Sequence, residues 1–490
     1  MEMDFKRELE KNLDSMISDL RGLLQIPSIA GEAEGEYPFG KEVQKALEYM
    51  LNLGKSMGFE VKNVDNYGGH IDFPGSGEGV MALVGHIDVV PEGEGWTWEP
   101  FDGTVKDGWI YGRGVQDDKG PTMVALYVMK ILKDIGFKPE KTIRLILGLD
   151  EESSWDGMKY YLEHEKAPDF GIVPDADFPL IQCEKGLLEF EITKKNEGLE
   201  AGKTAASENG GLILESLTGG SAANVVASQA VIRISGTPAA LAEAEARIKQ
   251  KAAGKEYETK TAIAGERLTV TVTGRPAHAA YPERGKNAIS MAMDLLGDAA
   301  FSNEDANRLV KFYNDKIGFA LDGSQIGCAM EDDLSGRLTF NVGKIDFDAG
   351  SSDGSGNSGG VAITVDIRYP ATKSKEEVWQ AMEPAVLGAG FGMEEMDHIH
   401  SIYQESDNPV VKTLLEVYRK ISGDTESQPA AIGGATFARA IPNCMAFGPL
   451  FPGDPELEHQ KNEAAELSQM LRAGEIYAEA VYRLTGGENS

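Results

Sequence analysis

Cysteine is almost missing from this sequence. Three residues in 490, Cys183, Cys328 and Cys444, are widely spaced with no CxxC pair, which excludes a disulfide framework and points to a reducing, cytoplasmic compartment. Basic charge is short as well: 47 Lys and Arg face 79 Asp and Glu, a formal net charge of −32. Such a chain repels nucleic acid. No uninterrupted apolar run reaches transmembrane length, so no membrane role is expected. The opening MEMDFKRELEKNLDSM is charged throughout, with neither the basic nor the apolar region of a signal peptide. The length allows two or three domains with a core large enough to need no covalent staple.

What is present is a set of short apolar runs, each ending in an acid or a histidine. VMALV (80–84) leads into GHIDVVP (85–91), TIRLILGL (142–149) into Asp150, Glu151 and Glu152, and FGIV (170–173) into Pro174 and Asp175. Continuous apolar runs of this length read as buried parallel strands, and the ends of such strands are where α/β sheets place function. Alternation along a strand puts His86 and Asp88 on one side, so one can ligate a metal while the other orients it. An ordinary reading also exists, a strand-end histidine bonded to its neighbour. Between the strands, apolar positions step at the helical period: Leu9, Leu13, Met16, Leu20 and Leu24; Val43, Leu47 and Met50; Val124, Val128, Ile131 and Ile135. The last of these helices follows GRGVQDDKGP, with Pro121 in its first turn. Asp117 and Asp118 therefore precede a helix, either as a carboxylate aimed into a site or as simple caps. His459 is expected directly before a C-terminal helix. His398 and His400 form an HxH without acidic strand ends beside it.

After Lys185 the texture changes to longer alternating strands, such as LEFEITKK and LTVTVTG, mixed with Ala-rich helices, an α+β insertion. The segments GGSAANVVASQAVIRIS and GRPAHAAYPERGKNAI resemble one another loosely and suggest internal duplication.

Pooled, His86, Asp117, Glu152, Asp175 and His459 offer two imidazoles and three carboxylates, a donor set suited to Zn²⁺ with Co²⁺ or Mn²⁺ as substitutes. Two ions about 3.5–4 Å apart need a bridging carboxylate, and Glu151 can then serve as base. The motifs GHIDVVP, YGRGVQDDKGP, GLDEES, VPDADFP, GRPAHAAYP, DIRYP and EHQKNE stand in the order found in the co-catalytic zinc peptidases of the aminoacylase and carboxypeptidase-G type, and the chain resembles most closely the PepV-like dipeptidases.

That resemblance implies an α/β catalytic domain with a central mixed sheet flanked by helices, residues 1–188 and 401–490, interrupted by a lid at 189–400. It implies Asp117 as the bridging ligand, held before a cis peptide to Asp118. His86 and Asp175 would bind one zinc ion, Glu152 and His459 the other, with Asp88 orienting and Glu151 as general base. In the lid it implies His278 as oxyanion donor and Asn224 and Arg368 as holders of the substrate carboxylate, helped by Gly434 and Thr436. In that loop Ala435 stands where the family has glycine. The implied activity is hydrolysis of short unblocked peptides, β-alanyl ones included, by a monomer. A hydrolase of N-acyl or N-succinyl amino acids is the rival within enzymes, and a non-catalytic zinc-stabilised binder the rival outside them.

Overall fold

The structure is a computed structural model that describes residues 3–195, 211–350, 359–433 and 436–486. It divides into two compact units, one of Met1–Gln182, Gln404–Ala431 and Ala435–Ser490, the other of Cys183–Tyr403 and Ile432–Gly434.

The apolar runs of the first unit become its central sheet. The strand order is Glu60–Val64, Gly68–Phe73, Thr142–Gly148, Val80–His86, Phe170–Val173 and Cys444–Ala446. The last four are mutually parallel, and the first two run antiparallel at the edge. Met81, Leu83, Leu145, Leu147 and Ile172 are fully buried, which is why these strands lack polar alternation. Helices Phe5–Leu24, Lys41–Ser56, Lys119–Asp134, Pro409–Ser422 and Leu467–Leu484 pack in the same core through their periodic apolar faces. This is the mixed α/β domain expected from the sequence. The parallel strands Thr142–Gly148, Val80–His86 and Phe170–Val173 lie side by side, so their carboxyl ends deliver Glu151 and Glu152, His86, and Asp175 to one edge of the sheet.

One expectation needs correcting. His459 does not abut the C-terminal helix, which begins only at Leu467. The short strand Ala464–Glu466 intervenes, pairing with Trp109–Tyr111 to extend the hairpin begun by Thr104–Lys106. A three-residue strand whose partner lies far away in the chain leaves no local periodicity.

The second unit is an antiparallel sheet of eight strands, in the order Glu258–Ala264, Arg267–Thr273, Gln229–Ser235, Ile213–Gly219, Thr339–Asp348, Gly360–Tyr369, Gly186–Lys195 and Gly392–Ile399. Helices Pro238–Gly254, Ala288–Leu296, Glu304–Lys316 and Lys375–Gly388 share its single core. The two segments that suggest duplication are neighbours here: Val226 N–H donates to Ala277 O (2.9 Å) and Gly274 N–H to Ser228 O (2.7 Å). Among the described residues the His398 ring bonds to no acid; its main-chain N–H donates to Asp397 Oδ1 (2.8 Å). Its Nε2 lies 2.8 Å from the Tyr369 hydroxyl, and its ring packs edge-on against His400.

Candidate metal centre

Three strand ends, the turn before the helix Lys119–Asp134 and the loop at His459 bring together five of the predicted side chains. His86 Nε2 lies 2.9 Å from Asp117 Oδ1 and 3.8 Å from Asp175 Oδ2. His459 Nε2 lies 3.0 Å from Asp117 Oδ2 and 2.8 Å from Glu152 Oε1. The Asp117 carboxylate therefore turns one oxygen to each imidazole. His86, Asp117 and Glu152 each offer a ligand atom within 4.8 Å of the others.

Neighbouring groups fix these donors. Asp88, fully buried, sits 3.3 Å from His86 Nδ1, which directs Nε2 into the cluster. Its two oxygens also accept the main-chain N–H groups of Glu151 (3.2 Å) and Glu152 (3.1 Å), so one carboxylate positions residues from two strand ends. Asp118 occupies the helix N-cap position but makes no side-chain cap bond. Its Oδ2 instead accepts from His86 N–H (3.0 Å) and from the Thr122 hydroxyl (3.0 Å), so the capping reading fails. The Asp117–Asp118 peptide is cis, as the resemblance implies. Glu151 is tethered through its main chain, its carbonyl accepting the Trp155 indole N–H at 2.6 Å. Among the described residues its carboxylate makes no hydrogen bond.

The electrostatics call for a cation. His86 Nε2 is buried without a hydrogen bond although it faces Asp117 Oδ1, the arrangement of two Lewis bases turned toward a shared metal. Burial, then the charges of Asp117 and Asp118, push Asp175 well above the usual carboxylate range. Burial likewise raises Glu151, with Glu152, Asp117 and Asp88 adding to it against the His86 charge. Hydrogen bonds to Asp117 and Glu152 push His459 up to about 10. Without a metal, protons take the place of positive charge at these groups. The residues present fit a divalent ion.

The second unit holds three more of the predicted residues. Asn224 O accepts from Ala279 N–H (2.9 Å), placing Asn224 beside His278. His278 Nδ1 accepts from Ala280 N–H (3.0 Å), so the neutral ring carries its proton on Nε2 as a donor. Arg368 is buried, its Nε and Nη2 both bonded to Asp366 at 2.9 Å and its Nη1 donating to Gly433 O at 3.2 Å. One N–H remains on each of Nη1 and Nη2, enough for end-on recognition of a carboxylate. Thr436, in the first unit, is buried and accepts from Ala438 N–H (3.2 Å). Gly434 and Ala435 lie outside the described residues, as do residues 351–358 of the glycine- and serine-rich loop.

Two contributors escape a sequence reading. Glu463 closes the EHQKNE motif, and Gln116 precedes Asp117; Glu463 accepts the Asp117 main-chain N–H, and Gln116 bonds the main chain of Pro455 and Leu457. The signal for Glu463 was its place as the last residue of the EHQKNE motif, four residues after His459.

The profile of peptidase family M20/M25/M40 matches residues 82–483, spanning every strand end described above. The chain belongs to this family. YtjP of Bacillus subtilis (strain 168) is 34% identical over 484 residues, covering 98% of this chain and 100% of that one. The Beta-Ala-Xaa dipeptidase of Lactobacillus delbrueckii subsp. lactis is 33% identical over 494 residues, covering both chains fully. Among solved structures, human carnosine dipeptidase 1 superposes with a TM-score of 0.57 at 15% identity, covering 97% of each chain, a likeness of fold. The resemblance read from the motifs is thus borne out, and this M20 peptidase is a metal-dependent hydrolase. Among the described residues no helix is long and apolar enough to cross a membrane.

Proposed function

We propose that this M20 peptidase is a dinuclear zinc dipeptidase that hydrolyses the peptide bond of short unblocked peptides, β-alanyl dipeptides included. One observation carries the reading: the Asp117 carboxylate stands between two imidazoles from distant parts of the chain, with Glu151 near it, whose carboxylate makes no hydrogen bond among the described residues. Asp117 would be the ligand shared by two ions, with His86 and Asp175 holding one of them and Glu152 and His459 the other. Zinc, when bound there, supplies Lewis acidity toward the scissile carbonyl and the attacking water.

The chain's own groups do the rest. Glu151 takes a proton from the attacking water and delivers it to the leaving amine nitrogen. Asp88 keeps His86 Nε2 aimed inward and holds the main chain of Glu151. To His278 we assign donation from Nε2–H to the developing oxyanion. Asn224, Arg368, Gly434 and Thr436 are assigned to the substrate's terminal carboxylate. The full-length relative that acts on Beta-Ala-Xaa dipeptides supports the substrate class. Three buried cysteines outside any disulfide support a cytoplasmic place, and the large insertion supports a monomer.

The test is amino-acid release by the zinc-loaded protein from free dipeptides beside their N-acylated counterparts. Cleavage of the free forms alone is expected; cleavage of the acylated forms alone would overturn the substrate assignment. Glu151→Gln is expected to lower kcat about 10²–10⁴-fold with zinc content unchanged. Undiminished turnover would remove the proposed base.

A further inference from the structure

Glu463 is a fully buried carboxylate whose oxygens are taken up by a loop 350 residues upstream. Oε2 accepts from Arg113 Nη1 (2.6 Å) and Gly114 N–H (3.0 Å). Oε1 accepts from Gln116 N–H (2.8 Å) and Asp117 N–H (3.2 Å). The loop answers in kind. The Gln116 side chain donates through Nε2 to Pro455 O (3.1 Å) and accepts through Oε1 from Leu457 N–H (2.6 Å). The downstream segment so gripped runs to His459, whose main chain is held at φ 60° and whose side chain is half exposed.

We infer that Glu463 and Gln116 form a reciprocal clamp of positioning residues that sets the spacing between Asp117 and His459, and through it the retention of the metal ion that those two residues share. This rests on the proposed ligand roles of Asp117 and His459. The physical case is one of pre-organisation. Neither loop has regular structure to hold it, yet imidazole and carboxylate must stand at fixed separation before an ion arrives. Four donors converging on one carboxylate fix the Asp117 main chain, and a primary amide with both ends engaged fixes the start of the His459 segment. The Arg113 guanidinium also stacks on Trp96 (5.3 Å) and donates to Pro91 O (3.3 Å), anchoring the clamp to the loop that follows His86.

The experiment compares wild type, Glu463→Gln and Gln116→Ala as full-length, zinc-loaded proteins. The rate at which zinc passes to a chromogenic chelator is measured, together with the melting temperature of each protein with and without zinc. Both variants are expected to release one equivalent about 10–100-fold faster, the range usual for groups that orient metal ligands. The zinc-dependent rise in melting temperature should shrink in step. A role in folding alone would lower the zinc-free melting temperature and leave both the release rate and the zinc-dependent rise as in wild type, which would overturn the clamp. Should Glu463→Gln not fold because Arg113 is left unpaired, Gln116→Ala, which removes no charge, decides alone. A wild-type chain that retains no divalent metal would overturn the reading of the centre and the clamp together, whereas tight wild-type binding with unaltered variants would overturn the clamp only.

Discussion

A single carboxylate does several jobs at this centre. Asp88 was expected to orient His86, and it also carries the main chain of Glu151 and Glu152, so the proposed base and a proposed ligand are positioned by the group that positions the first histidine. His86, Glu152 and Asp175 were legible because each stood at the end of an apolar run, where few other residues compete for the reading. Gln116, Glu463 and Asp118 were not, since their meaning lies in partners: Asp118 read locally as a cap and bonds instead to His86 N–H across 32 positions. His278 gives the residue-scale prediction. With Nδ1 accepting from Ala280, its Nε2–H is a fixed donor. His278→Ala should therefore lower kcat about 10²–10³-fold in steady-state kinetics while zinc content stays unchanged. An effect on KM alone would place the ring in binding.

At the level of elements, the parallel strands were the most legible part of the fold, because burial on both faces writes an unbroken apolar run into the sequence. Helices followed from their period. The short strand Ala464–Glu466 and the loop before it were not legible, since three residues paired with Trp109–Tyr111 carry no pattern of their own. One tight junction joins the strand Val80–His86 to the helix Lys119–Asp134. A Cβ at Gly85 would come 2.0 Å from Thr122 Oγ1 and 2.7 Å from Asp118 Oδ2, the pair that holds His86 N–H. Gly85→Ala should cost about 1–3 kcal/mol by overpacking. It should also weaken zinc binding, because relief requires moving Asp118. Melting with and without zinc, together with a zinc titration, checks both parts.

For the whole molecule, acid sensitivity has an identifiable source in the first unit. His70 is buried, its Nδ1 2.9 Å from the Tyr161 hydroxyl, and burial followed by the Arg144 charge pushes it down to about 4. As pH falls through 6.5 the unfolded chain binds this proton first, while the folded chain holds the ring neutral until about pH 4, so stability drops as pH falls across that window. Between pH 7 and pH 5 the loss from this group is about 2 kcal/mol. His70→Gln should reduce the difference between urea-unfolding curves at the two pH values by that amount, and an unchanged difference would assign the sensitivity elsewhere. The order of the chain carries one more consequence. His459 and Glu152, 2.8 Å apart, stand 307 positions apart, with the whole second unit between them. On a ribosome adding roughly 5–20 residues per second, a growing chain holds His86, Asp117, Glu152 and Asp175 for about 15–60 s before His459 exists. Neither the clamp nor the last strand of the sheet, Cys444–Ala446, can form in that interval, so a nascent chain carries an incomplete donor set until its final stretch emerges.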